Sequence, residues 1–142
     1  NMKQVYPTFI AEHNNTYLVY VPDMNIYTEG KSLADAIEMA RDAIGLKGLD
    51  FEDSNRDLPK PSTQEGAIAK AKEDTEVFDY STGILTFVDV NFTEYRRKID
   101  TRSVRRNVTL PNWLNLEAEK AQINVSRVLQ EALINVLGLS QK

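Results

Sequence analysis

The stretch Ser103-Val104-Arg105-Arg106-Asn107-Val108-Thr109-Leu110-Pro111 decides how this chain is read. Its side chains alternate. Val104, Val108 and Leu110 share one side of an extended strand and Arg105, Asn107 and Thr109 share the other, since successive side chains of a strand face opposite ways. Arg106 falls on the apolar parity, where its long stem lets it lie at an edge with its guanidinium in solvent. Pro111 ends the strand, because proline has no ladder donor and suits the first turn of a helix. Trp113 to Ala121 then reads as a short helix, and Gln122-Ile123 as a turn. Asn124 is suited to cap a second helix. That helix carries Val125, Val128, Leu129, Ala132, Leu133, Val136 and Leu137 at spacings of three and four, one wide apolar stripe, and Gly138 suits its end.

One strand and two helices of this size cannot enclose a core. Two copies can, if their strands pair into a ribbon with one buried and one free face. The expected dimer core is Val108, Leu110, Leu129, Leu133 and Val136. The free face offers Arg105, Asn107 and Thr109, side chains suited to base edges in the DNA major groove. The start of the last helix, with Asn124, Val125 and Ser126, presents free N–H groups and a positive dipole end to a phosphate, with Arg102 and Arg127 nearby. This segment resembles the ribbon-helix-helix DNA-binding family. The competing reading is an ordinary strand and helical hairpin inside a larger core.

Charge favours the first reading. Residues 94–142 hold nine Lys and Arg against five Asp and Glu, a net of +4. Residues 1–93 hold eight against sixteen, a net of −8. The whole C-terminal excess lies in Glu94 to Arg106, a basic arm of the kind that meets phosphates. The acidic pI of the chain, about 5.1, conceals that arm.

The acidic part reads as a small α+β sandwich with helices on one face of an antiparallel sheet. Val5 to Glu12 and Thr16 to Val21 form a hairpin about Asn14-Asn15, closed by Pro22-Asp23. Tyr27 to Gly30 reads as an irregular turn. Ser32 caps a helix, with Asp35 in the capping-box position, and that helix is expected to end near Gly45 to Gly48. Asp50 to Thr63, with Pro59 and Pro61, reads as a loop, and Gln64 to Asp74 as a second helix. Gly83 to Phe92, apolar and β-branched, is a third strand. The expected division is residues 2–93 for the first domain, 94–102 for a polar linker and 103–142 for the second.

Several function classes are disfavoured. The chain has no cysteine, so neither a disulfide nor a thiolate metal site is expected. It has no run of 18 apolar residues, so no membrane helix is expected. With no signal peptide visible, a cytoplasmic location is expected, and Asn1 ahead of Met2 reads as a residue left by a tag. His13, the single histidine, adjoins a turn and reads as an exposed loop residue. The carboxylates Asp23, Glu29, Asp35 and Asp89 could serve Mg²⁺ only if they converged, and most fall where a solvated face or loop would put them. No cofactor and no metal are expected.

A second resemblance covers the acidic part. Tyr6-Pro7, the run Tyr17-Leu18-Val19-Tyr20-Val21-Pro22-Asp23-Met24, Tyr27-Thr28-Glu29-Gly30, the helix Ser32 to Arg41 and Leu58-Pro59-x-Pro61-Ser62 resemble the HicB antitoxin family. The segment Asn25-Ile26-Tyr27 departs from the Pro-Gly-Cys-like turn of many members. The resemblance implies a degenerate RNase H-like domain joined to a helix-turn-helix or a ribbon-helix-helix, and this tail resembles the second kind. It implies a type II antitoxin, not an enzyme, that binds a HicA-like mRNA-cleaving toxin and represses its own operon at operator DNA as a homodimer. A higher-order assembly with toxin bound is compatible with it. The expected toxin contacts are Tyr6, Tyr17, Asp23, Met24, Tyr27 and Glu29. For the tyrosines the plainer alternative is sheet packing. Two other functions stay open: a stand-alone ribbon-helix-helix regulator with an N-terminal sensor domain, and a minor nuclease.

Overall fold

The computed structural model describes residues 3–100 and 102–139. Met2, Thr101 and residues 140–142, included in the expected divisions above, lie outside the described residues. The chain divides into two compact units, Asn1–Arg102 and Ser103–Lys142.

The first unit is α+β. Strands β1 (Lys3–His13), β2 (Thr16–Val21), β3 (Ile26–Gly30) and β4 (Ile84–Asn91) form one antiparallel sheet in the order β3-β2-β1-β4. The β1–β2 hairpin turns on Asn14 and Asn15, both with positive φ, the left-handed region that asparagine tolerates best after glycine. Pro7 sits in an inner strand, where proline is ordinarily costly. The register accounts for it: β2 pairs with β1 from Phe9 onward, so Pro7 faces only Phe87 of β4 and no β2 ladder bond is forfeited there.

Helix α1 (Leu33–Asp53) lies on one sheet face. Ser32 caps it, its hydroxyl accepting the Asp35 N–H. Ala36, Ala40 and Ile44 meet Tyr6, Ile10, Val19, Val21, Val88 and Val90 in the main core. Helix α2 (Gln64–Glu73) covers part of the other face, with Ala67 and Ala71 against Phe9, Tyr20 and Tyr80, so the helices lie on both faces of the sheet and not on one as expected. Helix α3 (Phe92–Ile99) follows β4 and packs on α1.

Three further expectations are corrected here. Tyr27 to Gly30 is not an irregular turn but most of β3, the short edge strand that pairs Tyr20 with Tyr27 and Leu18 with Glu29. The first helix does not stop at Gly45 to Gly48; it runs to Asp53, so the expected loop begins only after it. Gly45 and Gly48 are a notch: a Cβ on Gly48 would lie 2.1 Å from the Phe92 ring, and one on Gly45 2.6 Å from the Tyr95 ring. That notch admits α3, which occupies most of the segment expected as a linker. Tyr95 donates its phenol to Asp42 at 2.8 Å, and Arg96 reaches Asp53 at 2.7 Å.

The second unit holds α4 (Asn112–Lys120) and α5 (Val125–Leu137). Asn124 caps α5, its Oδ1 accepting the Arg127 N–H, and Gly138 closes it with φ of 67°. Residues 102–111, expected to contain a strand, carry no regular secondary structure in the single chain. A strand is defined by its pairing, and the β ladders among the described residues are those of the first unit.

Candidate functional site

No described residue of the second unit is buried. Its apolar side chains are made but uncovered: Val108 is 53%, Leu133 48% and Val136 82% exposed, with Leu110 and Leu129 half-buried. Val108, Leu110, Leu114, Ile123, Val128 and Leu129 line an apolar hollow of about 510 Å³. Thirteen residues of α5 with such a stripe would be marginal in water alone, since helices in proteins draw most of their stability from packing.

On this unit Arg105, Asn107 and Thr109 are all exposed. Of the cations expected to meet phosphate, Arg127 pairs with Glu131 at 3.2 Å and Arg102 with Asp100 at 3.0 Å. Both pairs are exposed, and such pairs contribute little, so a phosphate could displace the carboxylate. The Arg102 partner holds the Asp100 carboxyl below the usual carboxylate range. Asn124, Val125 and Ser126 stand at the start of α5, where one donor is already taken by the cap. The basic arm is also less free than its composition implies, because Arg96 is engaged by Glu52 and Asp53.

In the first unit the six expected toxin contacts divide by burial. Tyr6 is fully buried, and its phenol donates to the Pro59 carbonyl at 2.7 Å. Burial, with Asp23 nearby, pushes its pKa up to about 12. Met24 is in the same core. The Asp23 side chain is 1% exposed and accepts from the Ser62 N–H at 2.8 Å, from the Ser62 hydroxyl and from Lys70 at 3.0 Å. Burial raises its pKa, but those donors outweigh burial and hold it below the ordinary value. Tyr6 and Met24 are therefore core side chains, and the Asp23 carboxylate is engaged by Ser62 and Lys70. Tyr17 is half-buried against the main core. Tyr27 and Glu29 are exposed on edge strand β3.

Tyr27 belongs to an aromatic cluster on the α2 side of the sheet. Its ring stacks on Tyr20 at 5.1 Å and lies 6.1 Å from Tyr80, which meets Phe78 at 5.3 Å. His13, expected to be an exposed loop residue, is exposed at the end of β1 with its ring 5.3 Å from Phe78. The Tyr27 phenol donates to Asp74, which raises its pKa above the usual tyrosine range. Beside this cluster lies an open hollow of about 590 Å³ lined by Tyr20, Asp23, Lys70, Glu73, Asp74 and Glu76, among others. Sequence reasoning missed Glu73, Asp74 and Glu76, which only the fold brings beside Tyr27. Among the described residues no group of three or more His, Asp or Glu is placed to hold a metal ion, and no helix is long and apolar enough to cross a membrane.

Comparison with known proteins adds to this geometry. A family model described as "HicB_like antitoxin of bacterial toxin-antitoxin system" matches residues 6–132. No curated protein matches the chain. A solved toxin-antitoxin complex from Streptococcus pneumoniae contains a chain 24% identical, aligned over 94% of this chain and 99% of that one at a TM-score of 0.59. The antitoxin HicB from Burkholderia pseudomallei is 22% identical over 94% of this chain and 96% of its own, at a TM-score of 0.50. At these identities the structural likeness concerns the fold.

Proposed function

The chain belongs to the HicB_like antitoxin family of bacterial toxin-antitoxin systems, and from that premise we propose that it neutralises a HicA-like ribonuclease by direct binding and represses its own operon. The acidic first unit, read as a degenerate RNase H-like domain, covers the RNA-contacting surface of the toxin. Inhibition is steric and the chain itself is not catalytic. A net of −8 over residues 1–93 complements a protein that must attract RNA phosphates, and such fields speed association and select partners.

The second unit is a ribbon-helix-helix completed by a second copy. The observation that carries this is the absence of any buried side chain among the described residues of that unit, although α4 and α5 are formed and capped. Pairing residues 103–110 of two chains satisfies their backbone groups, and Val108, Leu110, Leu129, Leu133 and Val136 close the shared core. Arg105, Asn107 and Thr109 then read bases from the outer face of the ribbon, while Asn124 to Arg127 and Arg102 hold phosphates.

Two assays test the two halves. Cells expressing the protein encoded by the adjacent reading frame should stop growing and recover when the full chain is co-expressed. The purified chain should retard DNA from its own promoter region more strongly than random DNA. A chain that rescues nothing and binds both DNAs equally would refute the proposal.

A further inference from the structure

We propose that edge strand β3 and the C-terminal end of α2 form the toxin-docking face, and that it receives an arginine on an extended segment of the toxin. The inference rests on the antitoxin reading above and says which surface does the work. Tyr27 presents a ring 50% exposed, held flat by stacking on Tyr20 and anchored by its phenol to Asp74. Glu29 lies on the same face of β3, two residues on. Glu73, Asp74 and Glu76 line the adjoining hollow, and the following loop residue, Val77, is 87% exposed.

The chemistry selects the occupant. Lys70 is the cation of this hollow, and Asp23 already holds it at 3.0 Å. Among the described residues no cation is paired with Glu29, Glu73, Asp74 or Glu76. Uncompensated carboxylates repel phosphates, so the face is unfit for RNA or DNA. A guanidinium fits both features: it stacks on an aromatic ring and donates two parallel bonds to a carboxylate. Among the described residues β3 pairs only with β2, so the backbone groups of its outer edge are open to another extended segment. A toxin that binds RNA must display such cations, so filling this face would take them out of use.

Calorimetric titration of the full chain with the protein encoded beside it tests this. The double substitution Glu73→Lys with Glu76→Lys should weaken binding by about tenfold or more and leave the melting temperature near that of the wild type. Tyr27→Ala should weaken it as well. Asp50→Lys, an exposed change on α1 across the sheet, should bind as the wild type does. Wild-type affinity should fall as salt rises, and less steeply in the double variant. If the wild type binds and the double variant binds equally well, this face is wrong and the antitoxin reading stands. If the folded wild type does not bind the neighbouring protein, both fall.

Discussion

Leu133→Ala tests the shared core of the second unit most simply. Leu133 is 48% exposed in the single chain, so about half of its surface remains to be covered. Complete burial of a leucine contributes roughly 1.5–3 kcal/mol, so the remaining half is worth about 1 kcal/mol to each chain. A two-fold dimer contains the contact twice, which gives about 2 kcal/mol, or about thirtyfold in the dissociation constant. Any cavity left in the interface adds to that loss. Sedimentation across a dilution series reads the constant directly. Val77→Ala, on the first unit and 87% exposed, is the matched control and should not move it. A Leu133→Ala dissociation constant within about threefold of the wild type would refute the arithmetic. A wild-type chain that stays monomeric at every concentration would refute the shared core itself.

Asn107→Ala should cost about 1–3 kcal/mol on the cognate operator and little on random DNA, read by gel retardation; equal losses on both would remove Asn107 from base reading. Asp23→Ala should lower the unfolding free energy by about 1–3 kcal/mol in urea, because the Ser62 N–H loses its buried acceptor. The Asp23 carboxyl is held below its ordinary value in the folded state, so its contribution is present above about pH 4 and lost as the pH falls through the folded value. The acid limb of a pH–stability curve should therefore be shallower in Asp23→Ala. Tyr6 has the opposite sign. Its phenol is raised to about 12 in the fold, so its contribution is complete below about pH 10 and declines as the pH rises to about 12, by roughly 2–3 kcal/mol. Tyr6→Phe should flatten that alkaline loss in denaturant melts. A chain cut after Thr93 should be less stable than one cut after Arg102, because it loses Tyr95 from the Gly45 notch and the Arg96 pairs; equal midpoints would show α3 to be dispensable.

Local chemistry was legible in the sequence wherever it decided the structure. Asn14-Asn15 could take positive φ, Ser32 and Asn124 could cap, and Gly138 could close a helix, and each does so. What escaped depended on distant partners. Gly45 and Gly48 look like helix stops until Phe92 and Tyr95, more than forty residues on, are seen to fill the space they leave. Helix α3 was hidden by its basic residues, although Asn91 and Glu94 carried a capping signal that the structure uses: the Asn91 side chain accepts the Glu94 N–H at 3.1 Å. β3 is a five-residue edge strand, too short for its alternation to stand out. For the site, the motifs read as contacts proved partly internal. Tyr6 joins Pro59, and Asp23 joins Ser62. Those residues hold the loop after α1 to the sheet and leave Tyr27 and Glu29 on the surface.

RNA cleavage by the purified neighbouring protein, titrated with the full chain, tests the central claim most directly. Direct steric neutralisation predicts that cleavage falls in proportion to added chain and ends near one chain per toxin, with no other component present. Cleavage that continues unchanged in a molar excess of folded chain would contradict it.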